Sequence, residues 1–208
     1  MKTLNTTKAG LLVCASLLAL QTHAADEAAL YDLAPENSAF VRIVNNSDDI
    51  SIKTTIADKT LTSEGYCQAS DYEYVSAGEY KVNIEDMNWS GLLNADKTYT
   101  FVLNKNHIKV IEDEVYKNAK KGQFSAYNLT DKTTLSVKTK DGKKTVFPEV
   151  SNEQHVSREV NPIKIGLAVY DADNKLVELG TTRFQRGKSN NLFVCGSAEN
   201  YLANWSEQ

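Results

Sequence analysis

Ser38–Thr54 reads SAFVRIVNNSDDISIKT, and Gly122–Thr139 reads GQFSAYNLTDKTTLSVKT. Each stretch holds a strand-like run, an asparagine (Asn45, Asn128), a Ser-Asp or Thr-Asp pair (Ser47-Asp48, Thr130-Asp131) and then Ser, a β-branched residue, Lys and Thr. The physical reading is a strand, a turn whose short polar side chains satisfy backbone donors, and a second strand that pairs back on the first. The segments ADKTYTFVL (Ala95–Leu103) and RGKSNNLFV (Arg186–Val194) rhyme more weakly. The repetition predicts an all-β protein with two tandem antiparallel β-sandwich domains, residues 25–113 and 122–208. The charged segment 114–121 between them reads as a linker or short helix. The competing reading is one larger sandwich that holds two similar hairpins by chance.

The rest of the chain supports strands. Ile163, Ile165, Leu167 and Val169 alternate with Lys164, Gly166, Ala168 and Tyr170, a period of two that marks a strand with one buried face. Tyr80, Val82 and Ile84, then Tyr99, Phe101 and Leu103, then Leu135 and Val137, repeat the pattern. Between them lie turn signals: Lys140-Asp141-Gly142-Lys143 is a two-residue hairpin with Asp-Gly at its centre, Asp171–Lys175 a slightly longer loop, and Ser76–Tyr80 another turn.

The chain of 208 residues carries 23 Lys and Arg against 27 Asp and Glu, a net charge of −4, which argues against nucleic acid as a partner. Residues 1–24 read as a secretory signal peptide. Lys2 and Lys8 precede the apolar run Ala9–Leu20, and Thr22-His23-Ala24 suits cleavage before Ala25. Cys14 follows Val13 rather than a small residue, which speaks against a lipoprotein signal. No later run is long and apolar enough to span a membrane. Loss of Lys2 and Lys8 would leave 21 bases against 27 acids, a charge of −6 on an exported protein.

Export leaves Cys67 and Cys195, one in each half. In an oxidising compartment they either pair, stapling the halves together, or remain separate buried thiols. No metal site is expected, since further ligands close to them in sequence are missing. Nor is a catalytic constellation expected. The exported chain holds His107 and His155 without a Gly-x-Ser-x-Gly elbow beside either. Gly187-Lys188-Ser189 has Thr182 where a phosphate loop needs glycine. Asp171, Asp173 and Asn174 imitate the start of a calcium loop but reach Leu176 where glycine is required. No cofactor is implied. Tyr31, Trp89, Tyr201 and Trp205 lie near turns or chain ends. They either stack on sugar rings or cap the cores.

ALYDLAPENSAFVRIVN (Ala29–Asn45) and REVNPIKIGLAVYDADNK (Arg158–Lys175) resemble the two signature stretches of the AlgF family. The second is the more specific, through Arg158-Glu159, Asn161-Pro162, Lys164, Leu167-Ala168 and Tyr170-Asp171. The resemblance covers the exported chain, loosely between these stretches. It implies a periplasmic, non-catalytic adaptor in O-acetylation of an exopolysaccharide. The implied partners are a membrane O-acyltransferase, periplasmic SGNH-like acetyltransferases and the exopolysaccharide itself. Cys67, Cys195 and the stretch Asp86–Asn94 depart from the family pattern, which leaves open whether the polymer is alginate, since a cellulose acetylation system uses a relative. The implied contact residues are Tyr31, Arg42, Arg158, Asn161, Lys164 and Tyr170. The opposing reading is that these residues fix the fold at the domain junction. Two other functions stay open: a carbohydrate-binding module for the nascent polymer, and an acetyl-carrying transferase subunit.

Overall fold

The computed structural model describes residues 34–47, 51–84, 86–116, 118–198 and 200–208. The segment read as a signal peptide and Tyr31 lie outside them. The N-terminal lobe runs β1 (Ser38–Asn46), β2 (Ile52–Ile56), β3 (Lys59–Ser63), β4 (Glu73–Ser76), β5 (Gly78–Ile84), β6 (Met87–Leu93), β7 (Thr98–Asn104) and β8 (Ile108–Asp113). The C-terminal lobe runs β9 (Gly122–Thr130), β10 (Thr134–Thr139), β11 (Thr145–Ser151), β12 (Gln154–Val160), β13 (Ile163–Asp171), β14 (Asn174–Phe184), β15 (Ser189–Ser197) and β16 (Asn200–Glu207).

The duplication is visible in the topology. One sheet has the order β4-β1-β7-β8, and its counterpart is β12-β9-β15-β16. Across from the first stand the hairpins β2-β3 and β5-β6; across from the second stands β11-β10-β13-β14, the same strands joined into one sheet. Ala95–Leu103 and Arg186–Val194, the weaker rhyme, feed β7 and β15, which hold equivalent places.

The opening repeat is corrected in one respect. The second strand of each copy does not return to the first: β2 pairs with β3, and β10 pairs with β11 and β13. The chain crosses to the facing sheet instead, and the asparagines show how. The Asn45 side-chain oxygen accepts from the backbone N–H and hydroxyl of Ser47, both at 2.9 Å. Asn128 does the same for Thr130, at 3.1 and 2.7 Å. These amides supply the acceptors that sheet neighbours would otherwise supply, so the strand ends where it leaves the layer.

Pairing also departs from the all-antiparallel expectation at the centre of each lobe. β1 and β7 are parallel, with Arg42 beside Thr100, and β9 and β15 are parallel, with Tyr127 beside Phe193. Such strands need both faces covered, and the burial pattern shows that they are. Ala39, Val41 and Ile43 face the N-terminal core with Tyr99, Phe101 and Leu103. Phe124 and Ala126 face the C-terminal core with Leu192 and Val194. The opposite faces meet in a third apolar cluster that holds Val44, Val102, Ile111, Tyr127, Leu129 and Phe193. The sheets β4-β1-β7-β8 and β12-β9-β15-β16 thus pack against each other, and residues Ala34–Gln208 form one unit in which the halves are lobes.

Between β8 and β9, residues 114–116 run as coil, and the Lys121 N–H donates to the Asn118 carbonyl at 3.0 Å to close a turn. The Asp-Gly turn joins β10 to β11 through residues 140–144, longer than the two-residue hairpin expected; the Gly142 N–H donates to the Thr139 carbonyl at 2.7 Å, with Gly142 at φ 72°. The turn after Asp171 is tighter than expected: Ala172 and Asp173 alone connect β13 to β14, with Ala172 at φ 52°.

Candidate functional site

An arginine inside an apolar strand needs a partner acid, and Arg42 in FVRIV finds one from a distant strand. Its side chain, on the junction face of β1, is fully buried. Nε donates to the Thr100 hydroxyl at 2.8 Å and Nη2 donates to the Tyr127 hydroxyl at 2.8 Å. The carboxylate of Asp113, the last residue of β8, collects three hydroxyls. Thr100 donates at 2.5 Å and Tyr72 at 2.7 Å to Oδ2, and Tyr127 donates at 2.6 Å to Oδ1. The direct Arg42–Asp113 separation is 3.9 Å, so hydroxyls relay most of the ion pair.

The guanidinium lies among aromatic faces, 4.4 Å from the ring centre of Tyr72, 4.9 Å from Phe193 and 5.4 Å from Tyr127. Burial opposes its charge, yet Tyr127, Tyr72 and Asp113 outweigh that and hold its pKa above the ordinary value. Burial pushes the hydroxyls of Tyr72 and Tyr127 upward, so both stay protonated and act as donors. His155 stacks on Tyr127 at 5.1 Å, and burial lowers its pKa. Chemically this arrangement is a lock: each hydroxyl is already committed to the carboxylate that joins the lobes.

In the same junction cluster as Tyr127 and Phe193, Cys67 and Cys195 form a disulfide with their Cα atoms 5.8 Å apart. It joins the segment between β3 and β4 to β15, across a sequence separation of 128 residues. Cys67 adopts φ 60°, and its backbone N–H donates to the Asn45 carbonyl at 2.6 Å.

The structure disperses the residues implied as contacts. Arg42 is enclosed in the junction, where no partner can touch it; its burial matches the alternative, a residue that fixes the fold. Tyr170 is buried as well, with Lys138 Nζ 4.8 Å from its ring centre. Arg158, Asn161 and Lys164 are exposed and lie together at one end of the C-terminal lobe. Arg158 Nη1 donates to the Val146 carbonyl at 2.9 Å, and Lys121 Nζ donates to Asn161 Oδ1 at 2.5 Å. Among the aromatics, Trp89 packs edge-on against Phe101 at 5.1 Å and Trp205 packs against Phe124 at 5.5 Å. Tyr201 donates to Asp131 at 2.8 Å. His107 meets Glu153 at 2.6 Å. Sequence reading missed Asp113, Tyr72, Tyr127 and Phe193; the signal available was the buried context of Arg42, which demands a carboxylate.

The fold and this junction define a class: a duplicated all-β protein whose lobes, each with its own core, meet in a third apolar cluster closed by a buried polar network and a disulfide. A family model described as alginate O-acetyl transferase AlgF matches residues 12–191. The alginate biosynthesis protein AlgF of Pseudomonas fluorescens is 32% identical over 191 residues, covering 91% of this chain and 87% of the relative. That of Azotobacter vinelandii is 32% identical over 184 residues, covering 88% and 84%. That of Pseudomonas aeruginosa is 32% identical over 201 residues, covering 93% and 91%. Among solved structures, the C-terminal domain of AlgF from P. aeruginosa aligns with a TM-score of 0.40 at 32% identity, covering 43% of this chain and 99% of that one. The chain belongs to the AlgF family.

Proposed function

We propose that this chain is a non-catalytic periplasmic adaptor for O-acetylation of a secreted exopolysaccharide, alginate or a similar polymer. It is exported by a cleaved signal peptide and links a membrane O-acyltransferase to periplasmic SGNH-like acetyltransferases. The observation that carries this reading is the junction. The most conspicuous buried cluster of ionisable groups, Arg42, Asp113, Tyr72 and Tyr127, joins the two lobes and has its hydroxyl protons engaged in holding them. Its design serves rigidity, which suits a part that presents fixed surfaces to other proteins. Family membership supplies the process.

The test is a clean deletion strain, with acetyl ester content and polymer yield of the exopolysaccharide measured together. Acetyl content is expected to fall sharply while polymer persists. Unchanged acetylation would end the reading.

A second reading, a binding module for the nascent polymer, is favoured by one observation. A cleft of about 260 Å³ opens between the lobes, lined by Asn46, Asn104, Asn106 and Asn152 with Asp131 and Glu153. Amides and carboxylates in that density suit sugar hydroxyls. Calorimetric titration of the purified chain with oligouronates tests it: absence of heat at millimolar sugar would remove it.

A further inference from the structure

The lysines around the β13–β14 turn are neutralised. Lys132 meets Asp171 at 3.2 Å, Lys138 meets Asp173 at 3.8 Å, and Lys140 and Lys175 share Glu178 at 2.5 and 3.3 Å. The opposite end of the same hairpin is different. Lys164 and Arg183 face each other directly across the antiparallel pair. Both are exposed, as are Arg186 and Lys188 in the following loop. The Gly187 N–H donates to the Lys121 carbonyl at 2.9 Å, which brings Lys121 to the same corner. Among the described residues, none of these five cations has a carboxylate within ion-pair distance.

Like charges directly opposite in a sheet destabilise it, and this fold has carboxylates enough elsewhere to neutralise the other end. The chain as a whole is acidic, so the corner is a local reversal of sign. An open groove runs through it, lined by Pro162, Ile163, Lys164, Arg183, Phe184 and Arg186 among others, with no acidic residue in its lining. Ile163, 51% exposed, pairs with the buried Phe184 and so points to the face opposite Lys164 and Arg183.

We propose that this corner, with the Lys164–Arg183 pair on one face of the hairpin end and Arg186 and Lys188 in the loop beside it, is the docking surface for an acidic surface of a protein partner. The inference rests on the adaptor reading and gives it a location. Unpaired cations on one face, free of carboxylates, give the charge complementarity that steers association with an acidic protein surface. A polyuronate would meet the same charges, but sugar rings favour exposed aromatic faces, and the aromatic of this groove, Phe184, is 3% exposed.

The experiment uses the full exported chain and the purified periplasmic acetyltransferase of the same system, with binding followed by biolayer interferometry at low and high salt. Wild type is expected to bind more weakly as salt rises. Lys164→Glu with Arg183→Glu is expected to weaken binding by roughly tenfold or more. Ile163→Ser, on the opposite face, is expected to leave binding and its salt dependence unchanged. Lys132→Gln, at the neutralised end, leaves it unchanged. Equal binding by the double variant would overturn the surface and leave the adaptor reading standing. Failure of wild type to bind would overturn both. Binding of an oligouronate by wild type that the double variant loses would assign the corner to polymer instead, against the proposal. Lys164→Glu alone is expected to raise the thermal midpoint, because an attractive pair replaces a repulsive one. A fall would show that the fold itself compensates the two cations, and would overturn the argument.

Discussion

Arg42 of the N-terminal lobe donates through Nη2 to the hydroxyl of Tyr127 of the C-terminal lobe at 2.8 Å, and that hydroxyl passes its proton bond on to Asp113 at 2.6 Å. One tyrosine therefore stands between the two charges and belongs to the lobe that owns neither.

This geometry makes the network sensitive to loss of any single member. Arg42→Met leaves Asp113 buried beside hydroxyls alone, and is expected to cost about 3–5 kcal/mol. Tyr127→Phe removes a donor and an acceptor and should cost about 1–3 kcal/mol. Combining Arg42→Met with Asp113→Leu should cost clearly less than the sum of the two single changes, because no charge is then left unpaired. Urea denaturation of the four proteins checks this; strict additivity would refute the coupling.

Reducing the disulfide should destabilise the unit without dismantling it. Closure between Cys67 and Cys195 restrains an unfolded chain over a separation of 128 residues, a constraint of about 3–5 kcal/mol in the loop-entropy account. The apolar junction remains in place. Denaturation with and without dithiothreitol, alongside Cys67→Ser/Cys195→Ser, should show a lower midpoint and a folded baseline in both cases.

Stability should fall on the acid side. Burial lowers the pKa of His155 in the folded state, so the unfolded chain binds a proton first. The contribution is complete above the unfolded value of about 6.5 and is lost as pH falls from there through the folded value. His155→Gln should flatten the slope of stability below about pH 6.5. On the alkaline side the sign reverses: burial raises Tyr72 and Tyr127, so their contribution is complete below about pH 10 and is lost above it. Thermal melts across pH, with Tyr127→Phe as comparison, read both limbs.

Gly196 should tolerate no side chain. It adopts φ 122°, and a Cβ there would lie 2.1 Å from the Asn200 carbonyl oxygen and 2.8 Å from the Tyr201 Cα. Both are backbone atoms of the paired strand β16, so relief requires the sheet to open. Gly196→Ala is expected to cost about 3 kcal/mol and to expose the neighbouring disulfide to reductant. Thiol-labelling rates provide the second readout.

Much of the fold could be read from local marks. Asn45 and Asn128, the Asp141-Gly142 turn and the alternation through Tyr99–Leu103 each leave a signature within a few residues, because each reflects a backbone requirement met nearby. What failed to show was set at a distance. The parallel pairing of β1 with β7 joins residues such as Arg42 and Thr100, 58 positions apart, and no short window records such a register. The expectation that Ser51–Thr54 returns to β1 assumed the shortest connection, whereas β1 already has neighbours on both edges. Cys67 and Cys195 were identifiable as candidates, but their approach depends on how the lobes meet. Arg42 belonged to the quoted signature and was still read in two ways, because a buried and an exposed arginine look alike until the acid is placed.

The central position of β1 and β9 has a consequence for the order of events as the chain emerges from the machinery that makes or moves it. Each lobe begins with the strand that must end up in the middle, and one flank of that strand is supplied by the seventh of eight to appear. A growing chain therefore carries the strand destined for deepest burial with half of its hydrogen bonds unmet until the lobe is nearly complete. Closure comes late and as a single step, which places this protein among slow, topology-limited folders. A fragment that stops before Thr98 keeps the middle of the N-terminal sheet and lacks the strand that covers it, leaving a sticky edge where the intact lobe has none.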